Sequence, residues 1–171
     1  LLKNALTHDD TPVEIRFDNL NAEVTFAAGN LKCRLIEGRY PNYNSVIPTD
    51  NPCQMTIDRR ALLGSVKRIL PFASESSQSI RLRLGIGQVE ASSEDIDFAT
   101  SAKETIVCDY NGTPMSIGFK GPSLVEILSS LTSDEVLMEL ADPSRPCLIF
   151  PSEQPEGQNI LMLIMPMLLN D

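Results

Sequence analysis

Residue types that commonly perform catalysis or bind metal ions are sparse and scattered in this chain of 171 residues. The only histidine, His8, lies in a polar stretch far in sequence from every cysteine, which argues against a zinc site. With a single histidine, the chain has no credible Ser-His-Asp or Cys-His arrangement for nucleophilic catalysis. We therefore expect no enzyme active site, no bound metal and no cofactor.

The four cysteines are far apart in sequence, and no two of them form a CxxC pair. They are Cys33, Cys53, Cys108 and Cys147. Each has apolar or strand-forming neighbours, so we expect buried free thiols in a reducing compartment.

Positive charge is concentrated on one predicted helix, although the chain as a whole is acidic. The formal charge of −9 argues against a protein that coats nucleic acid with its entire surface. The polar side of the helix carries Arg59, Arg60, Lys67 and Arg68. Such a row is typical of a solvated helix face, and it would also suit contact with phosphates. The residues alone leave both interpretations open.

The C-terminal end is uniformly apolar from residue 160 to residue 169. This run is too short to span a bilayer, which needs about 20 residues. Pro166 cannot donate to a sheet, so a strand is expected to end near Met165. The methionines beside Pro166 are typical of surfaces that accept varied apolar partners. The residues favour a buried last strand with an apolar stub, with an adaptable binding surface as the alternative.

Two successive units of strand, helix and three strands must position these residues. The first has strands at 53–57, 79–85, 88–92 and 98–109, with a helix at 59–70 after the N-cap Asp58. The second has strands at 115–119, 135–141, 146–150 and 159–165, with a helix at 123–131. Residues 1–36 read as the end of a helix followed by three more strands. The order predicts an antiparallel α+β fold with helices on one face of the sheet.

Two motifs resemble the bacterial sliding clamp, the beta subunit of replicative DNA polymerase III. Residues 37–48 read EGRYPNYNSVIP and resemble that family's (E/D)GR(F/Y)PDYxxV(L/I)P segment. Residues 163–167 read LIMPM and resemble its terminal (V/L)(V/I)MPM. The resemblance covers essentially the whole chain. It implies that residues 1–48 are the second half of the clamp's middle domain and residues 49–171 its third domain, within a longer subunit of three domains.

The resemblance implies a DNA-clamp fold, with antiparallel sheets outside and helices inside. Two subunits of such a clamp close into a ring around duplex DNA and tether the polymerase, without catalysing a reaction. The cations that would face DNA are Arg59, Arg60, Lys67, Arg68 and Lys120. The resemblance also implies a bacterial, cytoplasmic and nucleoid-associated protein that has no contact with a membrane.

The family binds short apolar peptides from the polymerase, clamp loader subunits, repair polymerases and ligase. The positions that match its peptide pocket are Pro41, Ser45, Val46, Leu163, Met165, Pro166 and Met167. Ser45 and Leu168 stand where many members have arginine, and Ser123 stands where some have tyrosine, so the polar rim differs. The other wall of the pocket comes from the earlier half of the middle domain. We therefore expect this chain by itself to bind partner peptides weakly or not at all.

Ring closure in the family joins the third domain of one subunit to the first domain of the next, giving a homodimer. The matching positions are Ile69, Leu70, Lys103 and Glu104, and the strand at 98–104 would be the pairing edge. We expect this chain alone not to close the natural ring. The residues also allow a non-catalytic structural or dimerisation domain whose apolar C-terminus only completes its own core.

Overall fold

The computed structural model describes residues 2–6 and 10–169. It divides into two compact units, Leu1–Asn42 and Tyr43–Asp171, so the division falls earlier than the predicted boundary at residue 48. Asp50 and Asn51 are bonded to other residues of the second unit. The predicted polar loop around His8 lies outside the described residues.

The first unit contains a short helix and one antiparallel sheet. Its elements are α1 (Leu2–Ala5), β1 (Glu14–Phe17), β2 (Asn21–Phe26) and β3 (Gly29–Arg34), with the strands in the order β1-β2-β3. Val24 is the one buried apolar side chain among the described residues of this unit. Cys33 is exposed, contrary to the expectation of a buried thiol, because this part of the chain provides no second layer over the sheet.

The second unit contains both predicted repeats. Its elements are β4 (Cys53–Asp58), α2 (Arg59–Ile69), β5 (Ser79–Gly85), β6 (Gln88–Asp95), β7 (Thr100–Tyr110), β8 (Met115–Lys120), α3 (Gly121–Ser130), β9 (Glu135–Leu140), β10 (Cys147–Pro151) and β11 (Met162–Ile164). The eight strands are antiparallel, in the order β11-β10-β9-β4-β7-β6-β5-β8. The α+β fold class is confirmed.

The two repeats exchange their first strands. β4 opens the first repeat, yet it pairs with β9 of the second, and β8 opens the second repeat, yet it pairs with β5 of the first. The long strand β7 joins the two halves, because its residues 100–107 pair with β6 and its residues 108–110 pair with β4. Each half of the sheet is therefore completed by a strand from the other repeat.

The hydrophobic core lies between the sheet and the two helices. α2 supplies Leu62 and Val66, α3 supplies Leu124 and Leu128, and Phe119 on β8 is fully buried beside them. The four helix residues belong to the predicted apolar stripes, so the stripe of each helix packs into the core. No helix in the described ranges is long and apolar enough to cross a membrane.

Candidate functional site

The C-terminal apolar run begins as the edge strand β11. Its pairing with β10 places Leu163 opposite Leu148 and Ile164 opposite Cys147. Ile164 is buried, whereas Leu163 is half-buried. The strand is shorter than the predicted 159–165, because regular pairing with β10 covers only Met162–Ile164.

After β11 the chain leaves its own edge of the sheet and reaches the opposite edge. The backbone N–H of Met167 donates to the carbonyl oxygen of Gly118 on β8 at 2.8 Å. Only Met165 and Pro166 separate this contact from β11, so the two edges of the sheet approach within about 10 Å. The tail, defined as residues 165–169, thus bridges them.

Gly118 permits this close approach. A Cβ atom there would lie 2.9 Å from the carbonyl oxygen of Met167 and 2.6 Å from Cδ2 of Leu169. Sequence reasoning did not identify Gly118 as part of the site. A glycine inside a strand pattern is a signal of close backbone approach, and it could have done so.

The tail keeps apolar surface exposed after docking. Met165 is 55% exposed, Leu168 is exposed, and Pro166 and Met167 are half-buried. On one side the tail borders a groove of about 690 Å³, which it shares with Arg81 and Lys103.

The residues of the first motif are also on the surface. Tyr43–Ser45 forms a single 3-10 turn, closed by the N–H of Val46 donating to the carbonyl oxygen of Tyr43 at 3.1 Å. Ser45 is exposed and Val46 is 58% exposed. Pro41 is exposed as well, but it belongs to the first unit.

The prediction that Arg59 faces DNA is wrong. Its side chain is only 9% exposed, and its guanidinium donates from Nε to the carbonyl oxygen of Ser133 at 2.6 Å and from Nη1 to that of Leu128 at 3.0 Å. These carbonyls lie at and beyond the C-terminal end of α3, where helical carbonyls have no partner within the helix. Arg59 therefore joins the start of α2 to the end of α3.

The other cations predicted to face DNA are exposed, and they differ in whether they form ion pairs. Arg68 makes a bidentate contact with Glu104 on β7, with both N–O distances at 2.6 Å. The guanidinium lowers the pKa of Glu104, so this pair is intact at neutral pH and is lost as the pH falls through that lowered pKa. Arg60 lies 3.7 Å from Asp134. Lys67 and Lys120 are exposed, and neither makes an ion pair within the described residues.

The residues predicted for ring closure fall into two groups. Ile69 is only 1% exposed and belongs to the core, so its predicted role as a contact with another subunit is wrong. Leu70 is half-buried, and Lys103 is exposed on β7. Residues 100–107 of β7 pair with β6 alone in the described part of the chain, which leaves their other edge open.

Residues 2–6 and 10–169 contain no cluster of side chains suited to bind a metal ion. No group of three or more His, Cys, Asp or Glu side chains there could hold an ion. Cys147 is buried, and desolvation raises the pKa of its thiol, which keeps it protonated.

A family model described as "DNA polymerase III beta subunit, C-terminal domain" matches residues 44–168. This chain belongs to that family. Among its relatives, the beta sliding clamp of Caulobacter vibrioides is 28% identical over 152 residues, covering 89% of this chain and 39% of the relative. The beta sliding clamp of Pseudomonas putida is 26% identical over 168 residues, covering 98% and 45%. The chain thus spans less than half the length of these relatives.

Solved clamp structures share the fold. The DNA polymerase III subunit beta of Pseudomonas aeruginosa gives a TM-score of 0.87 at 24% identity, covering 98% of this chain and 45% of that one. The Caulobacter crescentus beta sliding clamp gives 0.81 at 26% identity, covering 92% and 41%. The clamp fold expected from the two motifs is confirmed.

Replacing Arg59 tests its role in joining the two helices. We expect Arg59→Ala to lower the free energy of unfolding by about 3 kcal/mol, because the buried carbonyl of Leu128 and the partly buried carbonyl of Ser133 lose a charged donor. Arg60→Ala, the neighbouring exposed arginine, is the control and should change it by less than about 0.5 kcal/mol. Urea unfolding of both variants measures the difference. Equal effects would contradict the assignment.

Replacing Gly118 tests the docking of the tail. We expect Gly118→Ala to displace the tail from β8, so that the amide of Met167 loses its protection from hydrogen exchange. Overpacking of this kind costs about 1–3 kcal/mol. Gly85→Ala on β5 is the matched control, because the nearest atom to its Cβ would lie at an ordinary 3.7 Å. Undiminished protection of Met167 in Gly118→Ala would refute this account of docking.

Proposed function

We propose that this chain is part of a ring-shaped sliding clamp, a non-catalytic processivity factor that encircles duplex DNA and tethers the replicative polymerase. The observation that carries the proposal is the family match over residues 44–168 in a unit that has the clamp fold. A ring linked topologically to DNA needs few direct phosphate contacts, so an acidic chain with a few cations that face the DNA inside the ring suits sliding. We place this activity in the bacterial cytoplasm, at the nucleoid.

The peptide-binding part of the proposal rests on two surface segments of the second unit that present apolar side chains. Ser45 and Val46 form one, and the tail with Met165, Pro166 and Met167 forms the other. Short apolar motifs of the polymerase, clamp loader subunits, repair polymerases and ligase are the proposed ligands. Among the structural relatives, the Bartonella birtlesii clamp is bound to griselimycin. The role of Pro41 in this pocket remains a prediction from the sequence motif.

The DNA-facing part of the proposal rests on exposed cations after the correction of Arg59. Arg60, Lys67 and Lys120 are exposed, and the charge of Arg68 is partly neutralised by Glu104. Among these, Lys67 and Lys120 are the best placed to attract phosphates without first breaking an ion pair.

The ring itself would close through β7. The open edge of residues 100–107 can accept a strand from another subunit, and Lys103 and Glu104 lie along it. We propose that two full-length subunits meet there.

A second candidate function is a structural domain whose apolar tail only completes its own fold. Burial of Ile164 and the contact of Met167 with Gly118 favour it. The exposure of Met165 and Leu168 favours peptide binding instead, because a tail that served only the core would bury these side chains.

Surface plasmon resonance with an immobilised clamp-binding pentapeptide distinguishes the two functions in the natural gene product that carries this sequence. We expect Met167→Ala to raise the dissociation constant about tenfold, because an apolar anchor is lost. Ile86→Ala, which truncates an exposed side chain on the β5–β6 turn, should leave it unchanged. If Met167→Ala lowers only the melting temperature, or if deleting residues 165–171 leaves binding intact, the pocket is wrongly assigned.

The salt dependence of DNA binding tests the cationic surface in the same gene product. We expect Lys67→Ala to reduce the slope of log Kobs against log salt by about 0.9, the value for one lost phosphate contact. Lys32→Ala removes the same charge from the sheet of the first unit and should not change the slope. Fluorescence anisotropy on duplex DNA over a series of salt concentrations gives both slopes, and equal slopes would exclude Lys67 from the DNA-facing surface.

A further inference from the structure

The segment that leads into β4 is held to the rest of the second unit by the side-chain amide of the half-buried Asn51. Nδ2 of Asn51 donates to the carbonyl oxygen of Glu139 and to that of Pro146, each at 3.0 Å. Oδ1 of the same side chain is buried and accepts no hydrogen bond from the described residues. Burying an acceptor without a hydrogen bond costs free energy. The two bonds that Nδ2 donates must therefore offset this cost in the folded protein.

A second contact lies beside it. The carboxylate of Asp50 forms an ion pair with the guanidinium of Arg145, in which Nη1 lies 3.4 Å from Oδ2. Arg145 is itself fixed, because its N–H donates to the carbonyl oxygen of Asp142 at 3.3 Å. The ion pair lowers the pKa of Asp50, which therefore remains ionised at neutral pH. Because both side chains are partly exposed, the ion pair contributes little to stability, and its main effect is to orient the connector.

These contacts lie next to the strand that leads into the tail. Pro146 immediately precedes β10, whose first residue, Cys147, is paired with Ile164 on β11. β11 ends at Ile164, and the exposed tail follows at once. In the other direction along the chain, Asn51 follows Ser45 and Val46 by a short connector. Asn51 thus ties the connector that follows Val46 to Pro146, the residue that leads into the neighbour of β11.

We propose that Asn51 is a positioning residue for peptide binding: with Asp50 and Arg145, it holds the segment of Ser45 and Val46 at a fixed place relative to the tail. This inference rests on the proposed peptide-binding function. Holding both walls before the ligand arrives reduces the ordering that binding would otherwise require. Releasing the connector lowers the fraction of molecules that are ready to bind, and the apparent affinity falls by that fraction.

Asn51→Asp is the sharpest variant, because it keeps the shape of the side chain and replaces both N–H donors with a carboxylate oxygen. Arg145→Gln is the second variant, which removes the ion pair and leaves the bonds of Asn51 in place. Asn159→Asp, at an exposed position outside the connector, is the matched control for added negative charge. Urea unfolding shows whether each variant remains folded.

Two measurements on these variants decide the question. In this chain, we expect the NMR order parameters of the Val46 and Ile47 amides to fall from about 0.8 to below about 0.6 in Asn51→Asp, less in Arg145→Gln, and not at all in Asn159→Asp. In the natural gene product, the dissociation constant of the clamp-binding pentapeptide should rise about fivefold in Asn51→Asp.

Each outcome has a distinct meaning. Unchanged order parameters in Asn51→Asp, or in Arg145→Gln if the first variant does not fold, would overturn the anchoring role. Lower order parameters with a dissociation constant within about twofold of the wild-type value would overturn the role in positioning. A wild-type gene product that fails to bind the peptide would overturn the proposed function and the positioning role with it, while the order parameters still decide whether Asn51 anchors the connector.

Discussion

The exchange of first strands between the two repeats is the constraint on which the second unit depends. β4 completes the sheet of the second repeat and β8 completes that of the first. The apolar stripes of α2 and α3 consequently enter one shared core. We expect the whole unit to fold cooperatively, because both helices bury their apolar side chains in this one core.

The same exchange determines which polar side chains remain available for function. It brings the start of α2 to the end of α3, where Arg59 donates to the carbonyl oxygens of Leu128 and Ser133. It also brings the edges β11 and β8 together, and Gly118 allows the tail to cross there. A buried cation and a docked apolar tail are thus consequences of one topology, while Lys67 and Met165 are left at the surface.

Local patterns predicted many elements well and a few contacts poorly. The strand at 79–85 and the helix beginning at residue 59 agree with the structure, because alternation and a 3.6-residue stripe report directly on which face is buried. Asp58 was correctly identified as the N-cap, and its Oδ1 accepts from the N–H of Ala61 at 2.7 Å. Strand ends were less accurate: β6 continues to Asp95, since its hairpin with β7 keeps pairing beyond the predicted end.

The sequence by itself determined the repeat of strand, helix and three strands, the clamp family through its two motifs, and the apolar character of the C-terminus. Each is carried by residue order and short-range periodicity, which need no knowledge of distant contacts. Only the tertiary structure decided that Arg59 and Ile69 are buried, that the tail crosses β8 at Gly118, and that Asn51 bonds to Glu139 and Pro146. Those outcomes depend on which strands become neighbours, and contacts between residues far apart in the chain leave no local pattern from which they could be read.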